Sequence, residues 1–471
     1  MAEPVETGAD YAITTSTGSV SVTIPTHLKH TLKIFILMNK NHDAIIIGSG
    51  IIGCAIALEL SKAGYKTLNI DKLGDAGLGS TSNSCALVRL SYSTYDGIRM
   101  AQECFSYWND WENYLGVQDE RGMAQFINNG GVLTMSDAPN FPRMVRIFKE
   151  LGIEFEIWDR ESIADKLGFM SPKSNWPIRR HDDPDFYEES GEYLDRLLFI
   201  KDGGYISDPS LATHNIMVGA QAQGGEFLFN AAVADIRKKD GRVCGVTLAD
   251  GTEIDAKIVV NVAGPHSGVI NRMAGVEDGM KIKTRPLRHE VHFVPNPHKE
   301  IGELASHWSD ADSGVYFRPE TGGALLIGSK DPDCDPREWL DDPDDWDREV
   351  SVDQWKNQVY RLAKRLPELK IPNQPKGVVD LYDVTDDWIP IYDKSSLPGY
   401  YMAIGTSGNQ FKNAGPVGYL MMKIIDAVEK GHDQDNDPIK YQAVYNDFEI
   451  DTSFYSRLRE INPESSFSVS G

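Results

Sequence analysis

The sequence predicts an α/β protein, in which a doubly wound sheet of the Rossmann type is joined to a second domain rich in antiparallel sheet. Two observations predict this architecture. Residues 43–71 show the pattern of a strand, a helix and a second strand, which is a βαβ unit. Between residues 284 and 330 strand signals dominate, so a separate sheet is expected there.

The length of 471 residues, 41% of them hydrophobic, suffices for the cores of two ordinary domains. A Ser- and Thr-rich segment precedes the first convincing strand, and it is expected to be a disordered extension unless the natural start is Met38. The predicted limits are 1–41 for this extension, 42–95, 196–283 and 376–471 for a discontinuous dinucleotide-binding domain, and 96–195 and 284–375 for a substrate-binding domain.

Within these limits, further elements follow from periodicity and turn residues. Helices are expected over residues 98–116 and 353–366 and from Gly415 onward. A hairpin is expected around residues 239–242. The acidic segment 331–349 contains three prolines and is interpreted as a solvated loop rather than a calcium site.

Charge and cysteine content narrow the function. Acidic residues number 70 against 47 Lys and Arg, and the net charge of −23 argues against nucleic acid as a partner. The five cysteines are widely spaced without a C-x-x-C pair, which disfavours zinc and disulfides and suits a cytoplasmic protein; Cys54 is interpreted as a buried thiol. No metal is expected, and the apolar run Ile34–Met38 is too short to span a membrane.

The strongest motif is Gly48-x-Gly50-x-x-Gly53, which lies between the predicted strand and helix, with Asp71 closing the next strand. Gly48 permits a tight turn, Gly50 lets the backbone approach a pyrophosphate, and Gly53 lets helix and strand pack closely. Asp71 is placed to accept a hydrogen bond from an adenosine ribose. The motif predicts a dinucleotide site but does not distinguish NAD from FAD.

Four segments resemble the flavoprotein family that includes D-amino-acid oxidase, glycine oxidase, monomeric sarcosine oxidase and dimethylglycine dehydrogenase. They are the Ser/Thr-rich GLGSTSNSCALVRLSY, then VVNVAGPHS, then GVYFRPETGGALLIG, and last LYDVTDDWIPIY with GYYMAIGTSGNQFKNAGP. Together they span about residues 43–425 in the order of that family. The resemblance implies a Rossmann-type FAD-binding domain with a substrate domain, and a non-covalently held FAD.

The FAD contacts that this resemblance implies extend the glycine motif. In the last segment, Gly405–Gly408 precede a helix, so their amides are expected to face one edge of the flavin ring and stabilise its reduced charge. The expected cofactor residues are Gly48, Gly50, Ile51, Ile52, Gly53, Asp71, Lys72, Gly79, Ser80, Thr81, Ser82, Val233, Ala263, Gly264, Gly405, Thr406, Ser407, Gly408, Asn409 and Gln410.

The same resemblance assigns substrate residues. Arg89, three residues before Tyr92, and Lys412 match the cations that hold a substrate carboxylate in the sarcosine-oxidase branch. Tyr316 and Arg318 alternate onto one strand face, and Arg318 is a second candidate for the carboxylate or else a structural ion pair.

For Tyr382 and His289 the sequence allows either a place in the substrate pocket or a purely structural role. Tyr382 is expected either to line the pocket or to lie in the core. His289 is interpreted as structural unless it touches the pocket, and its three-residue offset from His292 argues against a shared metal.

Three departures from the family limit what is carried over. Asn83 and Asp380 stand where relatives attach flavin covalently through histidine or cysteine, so neither linkage is expected. Leu326 replaces the lysine that one branch uses to activate oxygen, with Lys330 nearby.

The predicted function is therefore FAD-dependent oxidation of the C–N bond of an amino acid or an N-alkylated amino acid, with O2 or another acceptor. The alternatives are a dehydrogenase that passes electrons to a quinone or an electron-transfer flavoprotein, an NAD-dependent reductase, and a non-catalytic flavin-carrying subunit.

Overall fold

A computed structural model describes residues 11–15, 18–22, 41–134 and 141–470. Within the predicted extension 1–41, residues 11–15 pair with residues 18–22 as an antiparallel hairpin, where disorder was expected. The remaining expectations for this extension, including the start at Met38 and the short apolar run, lie outside the described residues.

The described residues form both strands and α-helices. The strands are β1 (Tyr11–Thr15), β2 (Gly18–Val22), β3 (Ala44–Ile47), β4 (Thr67–Ile70), β5 (Leu87–Val88), β6 (Phe126–Asn128), β7 (Gly131–Thr134), β8 (Phe155–Asp159), β9 (Arg196–Ile200), β10 (Gly204–Ile206), β11 (Glu226–Leu228), β12 (Val233–Lys239), β13 (Arg242–Leu248), β14 (Glu253–Asp255), β15 (Ile258–Asn261), β16 (Thr284–Pro295), β17 (His307–Asp310), β18 (Val315–Glu320), β19 (Ala324–Ser329), β20 (Glu338–Trp339), β21 (Gly377–Thr385), β22 (Ile391–Lys394), β23 (Tyr400–Ile404), β24 (Lys440–Gln442) and β25 (Glu449–Asp451). The α-helices are α1 (Ile51–Lys62), α2 (Tyr95–Asn109), α3 (Trp111–Leu115), α4 (Phe141–Glu150), α5 (Arg160–Lys166), α6 (Pro209–Ala222), α7 (Ser267–Ala274), α8 (Glu300–Leu304), α9 (Val352–Arg365) and α10 (Ala414–Glu429).

The first domain contains a six-stranded sheet in the order β11-β4-β3-β15-β23-β22. All neighbouring pairs are parallel except the last, β23 with β22. Both faces of the sheet are covered, because Ala44 and Ile46 of β3 belong to one apolar cluster, and Ile45 and Ile47 to another. This two-sided burial explains why β3 is a continuous apolar run, and it confirms the Rossmann-type prediction.

The second domain contains a nine-stranded sheet, ordered β20-β16-β19-β18-β17-β7-β9-β8, with β21 also paired to β16. Its pairs are antiparallel except β17 with β7. Helix α9 covers one face, where Trp355, Val359 and Leu362 pack with Phe317 and Ile327. The prediction of a second domain rich in antiparallel sheet is confirmed.

Helix α2 packs against α10. Its buried residues Ile98, Met100 and Ala101 lie in the same apolar cluster as helices α1 and α10. The predicted domain limits assign this stretch to the substrate-binding domain; those limits stay a prediction. The predicted helix over 98–116 is broken at Asp110, which separates α2 from α3.

Several local predictions of secondary structure and burial are confirmed. The hairpin joins β12 and β13 through Asp240 and Gly241, both with positive φ. Helix α9 covers most of the predicted 353–366, and α10 begins one residue before Gly415. Cys54 is fully buried. Among the described residues, no helix combines the length and apolar character needed to cross a bilayer, and no cluster of side chains suits a metal ion.

Candidate functional site

A cavity of about 670 Å³ lies where the two domains meet. Turns that follow strands β3, β4, β15 and β23 contribute to its wall, and these parallel strands all end at the same edge of the six-stranded sheet. Residues of β17, β18 and β21 from the second sheet complete the wall. The cavity therefore connects the glycine motif to the turn before α10.

The glycine motif is fixed by backbone packing. A Cβ atom at Gly48 would lie 2.3 Å from the carbonyl oxygen of Val262, and one at Gly53 would lie 2.2 Å from that of Gly48. Gly48 also has a φ of +112°, which side chains rarely adopt. At Gly50, which lines the cavity, the nearest atom would be Oγ1 of Thr81 at 3.1 Å. The first and third glycines thus allow close packing, and the second leaves backbone open to a ligand.

Asp71 lies at the end of β4 and lines the cavity. Its carboxylate accepts hydrogen bonds from the amide of Ser49 at 2.7 Å and from the amide of Leu73 at 2.9 Å. Burial raises the pKa of Asp71, while these two amides counteract part of the effect. Asp71 therefore couples the glycine turn to the end of the second strand, at the position expected for a ribose contact.

The Ser/Thr-rich segment only partly lines the cavity. Gly79, Ser80 and Thr81 contribute to its wall, and the hydroxyl of Thr81 accepts from the amide of Ile51 at 3.3 Å. Ser82 does not line it, because its hydroxyl donates to the carbonyl of Gly79 within the same turn. The Ser82 hydroxyl is therefore engaged within its own turn, and the expected contact of Ser82 with the cofactor stays a prediction.

At the two positions where some relatives attach flavin, the side chains bind each other instead. Asn83 donates to Asp380 at 2.6 Å, and Ser80 donates to the same carboxylate at 3.0 Å. This arrangement occupies both polar side chains, and neither is a nucleophile of the histidine or cysteine kind.

The turn before α10 divides between the cavity and the protein interior. Thr406, Gly408, Asn409 and Gln410 line the cavity. Gly405 and Ser407 do not, because their amides donate to Asp383, at 2.6 Å to its carboxylate and 2.7 Å to its carbonyl oxygen respectively. The expectation that all four amides of Gly405–Gly408 face the flavin is therefore corrected.

Asp383 itself is buried beneath this turn and lines the cavity. Burial raises its pKa to about 7, although hydrogen bonds from Gly405, Ser267 and Thr284 act in the opposite direction. Ser407 adopts a φ of +47°, an unusual conformation for a residue with a side chain. Asp383 thus holds the turn through both its carboxyl group and its backbone carbonyl oxygen, and the carboxyl group has a pKa raised to about 7.

These residues fit FAD. A Cβ atom added at any of three glycines of the wall would meet no other atom closer than 3.1 Å, so the backbone is accessible along the cavity. These glycines are Gly50, Gly79 and Gly264. Asn409 lines the other end of the cavity, and its buried Nδ2 atom has no hydrogen-bond partner among the described residues. Of the remaining expected cofactor residues, Ile51, Ile52, Lys72, Val233 and Ala263 also line the cavity.

Arg89 and Lys412 line the cavity and lie against the same ring. The guanidinium carbon of Arg89 and the ammonium of Lys412 are each 4.5 Å from the centre of Tyr92. Arg89 also donates to the carbonyl oxygens of Ser91 and Val469. Burial, and secondly the charge of Arg89, hold the pKa of Lys412 well below its ordinary value. The structure thus brings together the two cations that the sequence paired.

Two tyrosines form an aromatic wall near these cations. Tyr316 and Tyr382 both line the cavity, so the pocket interpretation of Tyr382 is supported. Tyr316 hydrogen-bonds Sγ of Cys85 at 3.2 Å, and Tyr382 stacks on His289 with ring centres 4.5 Å apart. His289 also lines the cavity and pairs with Asp331 at 3.1 Å. The wall therefore presents aromatic rings rather than free charge.

Arg318 does not line the cavity. It forms an ion pair with Glu320 at 2.7 Å, donates to the carbonyl of Cys85 at 2.9 Å and lies over the Tyr205 ring. Arg318 thus forms the structural ion pair that was one of its two expected roles, and its role in binding a substrate carboxylate stays a prediction.

Sequence reasoning placed neither of two second-domain residues, His307 and Lys330, in the cavity. His307 on β17 is 1% exposed, and neither of its ring nitrogens has a partner. Lys330, just after β19, donates to Ser309 at 2.9 Å and to Ser470 at 3.3 Å. Only the lysine was signalled in the sequence, as a neighbour of Leu326, which does not line the cavity.

The acidic segment 331–349 is not simply a solvated loop. Asp344, Trp346 and Arg348 line the cavity, and Asp344 accepts from Lys72 at 2.8 Å. Hydrogen bonds from Lys72 and His266 lower the pKa of Asp344 to about 2. The segment thus closes the cavity beside the glycine motif through a bridge between both domains.

Comparison with known proteins places this geometry in a wider context. A family model described as FAD dependent oxidoreductase (DAO) matches residues 43–424. FAD-dependent oxidoreductase domain-containing protein 1 of Bos taurus is 23% identical over 420 residues, which cover 84% of this chain and 82% of that protein.

Monomeric sarcosine oxidase of Bacillus sp. (strain NS-129) is also 23% identical, over 430 residues that cover 86% of this chain and all of that protein. Among solved structures, L-proline dehydrogenase from P. horikoshii superposes with a TM-score of 0.69 at 20% identity, covering 89% of this chain and 97% of that one. This likeness extends the fold agreement over both domains.

Proposed function

The chain belongs to the DAO family of FAD-dependent oxidoreductases, and from this premise we propose that it oxidises the C–N bond of an amino acid or an N-alkylated amino acid. The observation that carries the proposal is the pair of cations around Tyr92. Arg89 and Lys412 line the cavity together, and a carboxylate is the complementary group on a small substrate.

Charge supports an anionic substrate at this place. Among the ion pairs within residues 41–134 and 141–470, none involves Arg89 or Lys412. A buried cation without a carboxylate partner is costly, and Lys412 is 2% exposed. A substrate carboxylate offsets that cost when it binds.

The chemistry follows from where these groups hold the substrate. FAD supplies a two-electron acceptor for the hydride on the carbon next to nitrogen. Arg89 and Lys412 bind the carboxylate. The rings of Tyr316 and Tyr382 line the pocket. Nearby positive charge lowers the pKa of a bound amine, which favours the neutral amine that oxidation requires. Loss of hydride leaves a C=N bond, and water converts this imine to a carbonyl compound and an amine.

Relatives support an amino-acid substrate but not one acceptor. The names monomeric sarcosine oxidase and L-proline dehydrogenase describe enzymes of secondary amino acids. We propose dioxygen or a separate electron carrier, a quinone or an electron-transfer flavoprotein, as the oxidant. The NAD-dependent alternative loses support because the family uses FAD. The five cysteines are free, which suits the reducing cytoplasm proposed as its location.

The test is anaerobic mixing of the purified yellow protein with a panel of sarcosine, dimethylglycine, proline, glycine and D-amino acids, among them D-aspartate and D-glutamate. Loss of flavin absorbance with one of them is the expected result. Admission of air then separates an oxidase, which recovers its colour and forms hydrogen peroxide, from a dehydrogenase. If no amine in the panel or its longer-chain analogues bleaches the flavin, the subunit that only carries FAD becomes the better account.

A further inference from the structure

A third cation lies in the cavity with Arg89 and Lys412. Lys330 lines the cavity and donates to the hydroxyl of Ser470, next to Val469, whose carbonyl oxygen accepts from Arg89. Burial, and secondly the charge of Arg89, lower the pKa of Lys330 to about 8.

His307 lines the same cavity, two residues before Ser309, whose hydroxyl accepts from Lys330. Burial and then the charges of Arg89, Lys412 and Lys330 lower the pKa of His307 to about 3. Four nitrogen-bearing side chains therefore share one end of the cavity.

Each of these groups retains unused hydrogen-bonding capacity. Lys330 donates to two serine hydroxyls, so one of its three N–H groups is left over. Lys412 donates once, to the carbonyl of Asn409 at 2.8 Å. His307 has no partner at either ring nitrogen although it is almost fully buried. A buried ring without partners is costly unless a ligand binds it.

Two carboxylates near Lys330 are already engaged. Asp310 pairs with Arg365 at 2.8 Å, and Asp331 pairs with His289 at 3.1 Å. Both raise the pKa of Lys330, but less than burial and Arg89 lower it. Neither lines the cavity. Lys330 has no ion-pair partner within 4.0 Å among the described residues, which makes it available to a ligand.

A single carboxylate is too small a partner for all four of these side chains. Arg89 and Lys412 suffice for a single carboxylate, as the proposed function requires, and they leave Lys330 and His307 without a counterpart. Resting on that function, we propose that the substrate is an amino dicarboxylic acid, whose second carboxylate binds Lys330 and His307. The class includes acidic amino acids and amino acids that carry a carboxyalkyl group on nitrogen.

The inference is tested by isothermal titration calorimetry of the FAD-bound protein with two acids that lack an amine. Methoxyacetate has one carboxylate, and oxydiacetate has the same ether oxygen with two. We expect oxydiacetate to bind at least about tenfold more tightly, as one additional charge-assisted contact allows. The net charge of −23 repels a dianion more than a monoanion, so this preference is not a general charge effect.

Variants of Lys330 identify the group responsible. Lys330→Met keeps the apolar stem, and it should remove the preference while the Kd of methoxyacetate stays within about twofold. Lys330→Arg should retain the preference. Lys376→Met, at an exposed position of the same domain, is the matched control and should change neither constant.

The outcomes separate the two proposals. Equal affinities in the wild-type protein, or a preference that survives Lys330→Met, overturn the dicarboxylate inference and leave the proposed function in place. If neither acid binds and no amino acid bleaches the flavin, the proposed function itself fails. A Lys330→Met variant that keeps the preference but reacts differently with oxygen assigns Lys330 to the flavin.

Discussion

Tyr92 and Lys412 donate to the same oxygen atom. The hydroxyl of Tyr92 lies 2.6 Å from the carbonyl of Asn409, and the ammonium of Lys412 lies 2.8 Å from it. The ammonium is also 4.5 Å from the centre of the Tyr92 ring. Both residues are buried. One tyrosine therefore fixes the position of the lysine and ties it to the turn that borders the cavity.

The Tyr92 ring is expected to matter more than its hydroxyl for binding. Tyr92→Phe keeps the aromatic surface under Arg89 and Lys412, so the KM for the substrate should rise by no more than about threefold. Tyr92→Leu removes that surface and should raise KM by about tenfold or more. Steady-state kinetics of both variants measure this, and equal KM values for the two variants would contradict it.

Lys412 is predicted to act on binding of the carboxylate. Lys412→Met fills the buried site without a charge, so the protein should fold, and kcat/KM should fall by about 100-fold, mostly through KM. Lys430→Met is the control, because Lys430 is an exposed lysine paired with Asp426. An unchanged KM in the Lys412 variant would remove it from the carboxylate site.

Asp71 is predicted to act on FAD retention. The carboxylate of Asp71 accepts hydrogen bonds from two backbone amides. In Asp71→Asn the NH2 group of the side chain faces one of these donors, so that hydrogen bond is lost and the Kd for FAD should rise by about 10- to 100-fold. Flavin absorbance after dialysis measures this. Asp75→Asn, in the same segment and paired with Arg121 near the surface, should keep its flavin. Loss of flavin from both variants would point to general unfolding.

Asp383 predicts a pH-dependent stability. Its pKa of about 7 in the folded protein exceeds the ordinary value of 3.8. The free energy of unfolding therefore falls as the pH rises from 3.8 towards 7, because the carboxyl group ionises in the unfolded chain at a lower pH than in the folded protein. Asp383→Asn resembles the protonated acid. Its advantage over the wild-type protein in urea unfolding should be about 2 kcal/mol larger at pH 8 than at pH 5.5.

The exposed Asp278 supplies the control for this titration, and Asp278→Asn should show the same difference from the wild-type protein at both pH values. An advantage of Asp383→Asn that is equal at pH 5.5 and pH 8 would mean that Asp383 does not titrate in this range.

The parts of the fold that follow local rules were predictable from sequence. The unit β3-α1-β4 has an apolar run, helical spacing and two glycines, Gly48 and Gly53, at which an added Cβ atom would collide with backbone. The hairpin at Asp240–Gly241 has the residues that tolerate positive φ. Arg89 and Lys412 were paired through the family resemblance, and the structure places both at the cavity.

The rest depends on strand register that the sequence does not specify. His307 and Lys330 reach the cavity because β17, β18 and β19 are adjacent in the second sheet. The sequence left Arg318 with two roles, and the structure shows the ion pair with Glu320, which lies two residues further on the same strand face. Asp344 looked solvated because its partner Lys72 is 272 residues away.

The most direct test of amine oxidation is a single turnover under nitrogen, in which the substrate found in the panel is added in one equivalent to the FAD-bound protein. Flavin absorbance and the carbonyl product are measured on the same sample. The account predicts one equivalent of flavin bleached and one equivalent of aldehyde or keto acid released. Bleaching without a carbonyl product, or a product formed while the flavin stays oxidised under nitrogen, would contradict it.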